Sequence, residues 1–349
     1  GPGASSSAPE GLMGQIPECR GARPPATPAG ASGARDLGSA PHMSDDVTAS
    51  APRDPEELEA GGAPASGLAP PDTHPGAVHL GVADLARSLA YYVDTIGLVG
   101  RNRDAATATL GGERDLLVLH ERPGARPADG YSGLYHFALL VPDRADLARW
   151  LAHAVRDRVP LAGLSDHFVS EAIYLRDPDH HGIEIYWDRP RAMWEGQVAE
   201  RMTTLPLDTD DLFATLADPA REPFDGLPGA TIMGHVHLRV ADIADTVAFY
   251  RDVIGFGVMA QLGAQATFLS AGGYHHHIGA NVWESRGRRQ APAGSATLER
   301  ALLRFPDRGS RDAAAARAAD AGQDPQAGPA GVVIHDPSGN PLELVAGRD

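Results

Sequence analysis

The chain is poor in sulfur, aromatic mass and basic charge, and it has no long apolar run. A single cysteine, Cys19, stands among 349 residues. That excludes a disulfide framework within the chain and a zinc site built from several thiolates, and it fits a reducing, cytoplasmic setting. No stretch of 18 consecutive apolar residues occurs, so no membrane span is expected. No basic region followed by an apolar core precedes the first acidic segment, so no signal peptide is expected. Basic side chains number 30 against 46 acidic ones, a formal net charge of −16. Such a surface repels phosphate backbones and argues against nucleic acid as a partner. Hydrophobic residues at 42% are ordinary for a globular chain.

The first 73 residues differ from the rest. "GASSSAPEGLMG", "GARPPATPAGASGARD" and "GGAPASGLAPPD" are rich in Gly, Pro, Ala and Ser. They carry too few large apolar groups to build a core, so residues 1–73 read as a disordered tail. Met43, in "HMSDDV", reads as a natural start with an upstream extension before it.

What is present is a repeat. Residues 78–98, "VHLGVADLARSLAYYVDTIGL", match residues 236–256, "VHLRVADIADTVAFYRDVIGF". Both hold VHL-x-VAD, an aromatic pair ending in Tyr92 or Tyr250, and D-x-IG, a density that points to duplication. Each copy begins with a strand-like apolar run. A helix follows, with Asp84 or Asp242 as N-cap and Gly97 or Gly255 closing it. A fainter match, "LYHFALLVPDRADLARWLAHAV" with "LERALLRFPDRGSRDAAAARAADAG", shares PDR. Strands after each helix end in "DPDHHGIEIYW" or "DPSGNPLELVA", a turn and then an alternating strand. Four strand–helix–strands units thus start near residues 76, 133, 233 and 297. In chain order they form two pairs, 74–190 and 233–349, with 191–232 as connector.

This layout resembles the vicinal oxygen chelate superfamily, the glyoxalase/bleomycin-resistance/dioxygenase fold, over about residues 74 to 347. The resemblance implies an α+β fold of four βαβββ modules in two pairs. It places metal ligands on the first strand of each unit and on the last strand of the second. In the N-terminal pair those places hold His79 ("AVHLGV"), His136 ("LYHFAL") and Glu184 ("GIEIYW"). Apolar neighbours flank each, and a buried carboxylate among Ile and Tyr needs a cation or hydrogen bonds. Two neutral imidazoles and a carboxylate suit Fe(II) with open positions, and Mn(II) fits the same set.

Further likeness lies with type I extradiol catechol dioxygenases, closest to a bacterial catechol 2,3-dioxygenase branch. His120 ends "LLVLH", sixteen positions before His136; "SDHFVSEAIYL" carries His167; and Tyr174 stands ten before Glu184. By that resemblance His120 is the acid/base residue, and His167 and Tyr174 hydrogen-bond the substrate oxygens. In the two-domain members of that group the metal lies in the C-terminal pair, a departure from the residues found here. In the C-terminal pair His237 repeats His79 and Glu343 repeats Glu184, but aligning the PDR motifs puts Arg300 opposite His136. A guanidinium cannot ligate a metal, so that pair reads as vestigial, with Arg300 free to pair with Glu343. His275-His276-His277 fall 38 to 40 positions after His237, close to the 41 between His79 and His120. On a strand they would alternate faces, so at most two could face the cup. His180 and His181 read as exposed turn residues, and Glu171 and Asp177 as surface or turn groups.

The expected activity is extradiol cleavage of a catechol-like ring by O₂ and Fe(II), in a protein able to form a homo-oligomer. Two alternatives remain. One is a glyoxalase-like lyase or isomerase with Zn²⁺ or Ni²⁺, which generally adds a Glu where this chain has His120. The other is a non-catalytic small-molecule-binding module, which generally lacks the ligands.

Overall fold

The computed structural model describes residues 68–347. The tail expected over 1–73 lies outside the described residues up to residue 67, as do Cys19 and Met43. Residues 68–73 are part of the folded body: Ala69 N–H donates to the Gly255 carbonyl at 2.8 Å, and Thr73 is fully buried.

All four modules are present, each built from a leading strand, a helix and further strands. The leading strands are His74–Val82, Gly133–Leu140, Ile232–Arg239 and Leu298–Phe305. Each is followed by a helix capped by an aspartate or anchored to one. Asp84, Asp242 and Asp307 accept from the backbone N–H three residues on, at 2.9, 3.0 and 2.9 Å. These bonds satisfy N–H groups that the first helical turn leaves without partners. In the first and third modules the helix widens into a π-helical turn, Tyr91–Ile96 and Phe249–Ile254. Gly97 (φ 88) and Gly255 (φ 97) end these turns in left-handed conformations that suit glycine. A closing strand then lies parallel to each leading strand: Asp115–Glu121, Gly182–Asp188, Ile278–Asn281 and Pro341–Ala346.

The modules do not pair in chain order. The second and third share a nine-stranded sheet through antiparallel pairing of their leading strands, with His237 opposite His136. The first and fourth share an eight-stranded sheet in the same manner, with His79 opposite Arg300. This corrects the expected partition into 74–190 and 233–349. The repeat dictates that each leading strand needs a partner for its open edge, but four similar edges do not say which. Proximity along the chain is a weak guide, since doubling a loop costs only about 0.6 kcal/mol of closure entropy. The connector joins the nine-stranded sheet as well, because its Leu205–Pro206 strand pairs with Gly163–Asp166.

Candidate metal centre and active site

The nine-stranded sheet curls around a cavity of about 310 Å³. Its floor is laid out by register. Ala138 sits between Glu184 on one neighbouring strand and His235 on the other; two residues along, His136 sits between Gly182 and His237. Ala138 is small enough for Glu184 and His235 to reach across it. A Cβ at Gly182 would collide with the Tyr135 carbonyl and press on His136, so glycine is needed at that contact.

Three donor atoms converge here. Glu184 Oε2 lies 3.0 Å from His136 Nε2 and 2.9 Å from His235 Nε2, and the two nitrogens are 3.2 Å apart. All three residues are buried, at 6%, 2% and 1% exposure for His136, Glu184 and His235. Burial opposes ionisation of Glu184, but His235 and His136 outweigh it and hold the carboxyl well below its usual range. Burial lowers His235, with only partial compensation from Glu184. The set therefore offers an imidazole lone pair and an ionised carboxylate to one point. Ligands at right angles, each about 2.1 Å from one ion, stand roughly 3.0 Å apart, and the observed separations match. Two histidines and a carboxylate on one face suit a divalent metal such as Fe(II), with open positions on the cavity side. Among the described residues this is the group of three such side chains whose ligand atoms all fall within 4.8 Å of one another.

Of the three expected ligands, the structure brings His136 and Glu184 together and leaves His79 in the other sheet. His79 Nδ1 lies 3.0 Å from His120 Nε2, and burial, then Arg300 and His120, lower its pKa to about 3. His120 is likewise outside the cavity, lowered first by burial, so the acid/base place that the resemblance gave it is not met by its position. Both displacements follow from the pairing of the first module with the fourth. The third converging donor atom comes from His235, which the sequence reading passed over. Its signal was "GHVHL": the match to His79 picked out His237, while His235, two positions earlier on the same face, corresponds to Ala77 in the first copy. His237 is beside the cluster, its ring 4.8 Å from that of His136. Its Nε2 accepts from Asn281 Nδ2 at 3.0 Å, and burial holds it well below the usual imidazole value.

His167 and Tyr174 line the same cavity. His167 Nδ1 donates to the Thr203 carbonyl at 2.7 Å, so its Nε2, 2.7 Å from the Tyr174 hydroxyl, accepts from it. Tyr174 is the cross-strand partner of Glu184, which explains the ten-residue spacing across a hairpin. Tyr135, Phe268 and Trp283 supply apolar wall.

Residues 275–277 form a bend before the Ile278–Asn281 strand and are all buried. His276 faces the cavity, its ring 4.1 Å from that of His235; His277 lines a separate cavity. In the opposite sheet Arg300 Nε lies 2.8 Å from Glu343 Oε2, as expected for a pair without a metal, and Glu343 Oε1 accepts from the Ala330 and Gly331 N–H groups. His180 is exposed, but His181 is buried with Nδ1 2.9 Å from Asp177 Oδ2. Asp177 and Glu171 are also buried, Glu171 between Arg144 (2.7 Å) and Arg189 (2.9 Å). Each carboxylate is interior because a partner is built beside it.

Two stretches, residues 74–185 and 232–344, match the model of the Glyoxalase/Bleomycin resistance protein/Dioxygenase superfamily. The chain belongs to this superfamily. A protein named catechol-2,3-dioxygenase from Bacillus subtilis (strain 168) is 41% identical over 260 residues, which cover 72% of this chain and 89% of that protein. Among solved structures, a putative dioxygenase from Bacillus subtilis superposes with a TM-score of 0.55 at 16% identity, covering 79% of this chain and 86% of the other. A glyoxalase I variant from Zea mays does so with a TM-score of 0.50 at 16% identity, covering 78% and 94%. At these identities the two structures speak for the superfamily fold. Among the described residues no helix is long and apolar enough to cross a membrane.

Proposed function

We propose that this superfamily member is an extradiol dioxygenase that opens a catechol-like ring, with His136, Glu184 and His235 holding Fe(II), or Mn(II) in its place. The observation that carries the reading is the convergence of those three side chains at the floor of a cavity large enough for an aromatic substrate. The name of the 41% identical Bacillus subtilis relative supports the same reaction. The bound metal would supply Lewis acidity to the catechol oxygens and a path for electrons to O₂.

The chain's own groups do the rest. Tyr135, Phe268 and Trp283 shelter the ring and exclude water. The Tyr174 hydroxyl donates its hydrogen to His167 Nε2, and a phenol oxygen that donates can also accept, here from a substrate hydroxyl. When the substrate hydroxyl passes its proton to the Tyr174 oxygen and the Tyr174 proton passes to His167 Nε2, the imidazolium donates back to that oxygen and the new Tyr174 O–H points at the substrate oxyanion. One side-chain pair thus serves both charge states of a substrate oxygen.

The test is anaerobic reconstitution with Fe(II), metal analysis, and then O₂ uptake and a yellow ring-cleavage product with a panel of catechols. Stoichiometric uptake is expected. No uptake with any catechol, together with tight Zn²⁺ or Ni²⁺ binding, would favour the glyoxalase-like alternative and overturn this reading.

A further inference from the structure

The three consecutive histidines have no place among the ligands, yet all are buried and one faces the cavity. The hydrogen bonds of the first two form one chain. Asp188, the last residue of the closing strand that also carries Glu184, has His275 Nε2 2.8 Å from its Oδ1. His275 Nδ1 is 2.8 Å from His276 Nδ1. The other carboxylate oxygen accepts from the Tyr274 hydroxyl at 2.7 Å, and the Tyr274 and Tyr186 hydroxyls are 2.8 Å apart. Tyr186 reaches this point because a side chain at Gly234 would collide with its hydroxyl. The network is therefore part of the sheet, with its carboxylate held by two donors.

The directions along this chain are fixed from one end. A carboxylate accepts only, so the proton of His275 sits on Nε2. With one proton on each ring, His275 Nδ1 is then a lone pair and must accept from His276 Nδ1–H. The Nε2 of His276 is left bare, on a ring that lines the cavity beside the ligand His235.

We infer that Asp188 and His275 are positioning residues that set the tautomer of His276, so that its Nε2 stands in the cavity as an acceptor for a substrate hydroxyl. The inference rests on the dioxygenase reading for the identity of that hydroxyl and on the hydrogen-bond geometry for the tautomer. It gives the run of histidines a division of labour: one faces the cavity, one transmits the direction of the carboxylate, and the third lies outside the chain. The free imidazole ring favours its proton on Nε2, so the tautomer expected for His276 is the uncommon one. An aspartate reaching through an imidazole to the working ring is the same logic by which a carboxylate fixes a catalytic histidine elsewhere, with one more ring inserted.

The experiment is long-range ¹⁵N–¹H correlation on the full chain labelled at histidine, metal-free and zinc-loaded, with the His276 signals assigned by their loss in His276→Gln. The expected pattern is a protonated Nδ1 and a bare Nε2 at His276. In Asp188→Asn and in His275→Gln the proton should move toward Nε2, and Asp188→Glu should restore part of the original pattern. On the iron-loaded enzyme Asp188→Asn should lower kcat by about tenfold or more, the low end of what a positioned base supplies, with KM changed less than about threefold. A protonated Nε2 at His276 in the wild type overturns the inference, as does a tautomer unmoved by Asp188→Asn. Should the variants fail to fold, the wild-type spectrum alone decides. The expected tautomer without O₂ uptake on any catechol supports the positioning chain and removes the dioxygenase reading. Uptake with a protonated Nε2 does the reverse.

Discussion

The two sheets are the same construction carried to different ends. In each, two leading strands pair at the centre and a closing strand brings one glutamate, Glu184 or Glu343, to the floor. In the nine-stranded sheet the places around the glutamate hold His136, Ala138 and His235; in the eight-stranded sheet they hold Arg300, Leu302 and Ala77. One set turns imidazole nitrogens and an ionised carboxylate toward the cavity floor, as a cation from solution would require. The other carries its own cation, and Leu302 fills the space that Ala138 leaves open. A buried carboxylate must be compensated in both, and whether the compensation comes from solution or from the chain separates a metal site from a structural ion pair.

The largest effect that would break this comparison is at the ligands. His235→Ala should abolish iron loading and cut ring cleavage by more than the roughly 10–100-fold that outer partners of a metal site cost. Metal content after anaerobic reconstitution measures it, and iron retained in this variant would reassign the site. Next is Arg300→Ala, which leaves Glu343 buried with only its backbone donors. A loss of about 3–5 kcal/mol is expected in urea unfolding, the cost of breaking a buried pair from one side, and iron content should not change.

A smaller contrast lies in the turns before the closing strands. Asp177 is opposed by burial, but His181 outweighs that and holds it below the usual range, so its contribution to stability is lost as pH falls. Asp336 has Asn340 in that place, and burial lifts it to about 6. Its folded value lies above its unfolded one, so its contribution is complete at acid pH and is lost as pH rises through about 6. Between pH 4 and 8 the stability of wild type relative to Asp336→Asn should therefore fall by about 2 kcal/mol, as read by denaturant unfolding at each pH. A flat difference would contradict the assignment. The smallest effect belongs to His79→Ala. It removes one neutral imidazole from the eight-stranded sheet and should cost about 1 kcal/mol of stability, with iron loading and turnover as in wild type. Loss of iron there would return His79 to the ligand set.

Local features were legible because they depend on neighbouring residues. The aspartate caps at Asp84 and Asp242, the glycine ends at Gly97 and Gly255 and the four leading strands all follow from short stretches of sequence, and the Arg300–Glu343 pair follows from aligning the repeat within one module. Two of the three converging donors were legible, since His136 and Glu184 belong to one module and meet through its internal pairing. The remaining third depends on which module lies across the central seam, and four similar strand edges carry no address. His235 was passed over because alignment rewards what two copies share, and a residue that differs from Ala77 is invisible to it. Glu171 looked like a surface group because its partners, Arg144 and Arg189, are 27 and 18 positions away, and His181 because its turn gives no sign in the sequence of being packed inside.

The seam also sets an order of events. The nine-stranded sheet is closed by residues 133–281, a continuous middle stretch, whereas the strand His74–Val82 precedes it and pairs only with the later strand Leu298–Phe305. During synthesis from the N-terminus, the first module keeps an unpaired edge in the cell until the fourth emerges. The two sheets are thus closed in a different order from the one in which their first strands occur along the chain.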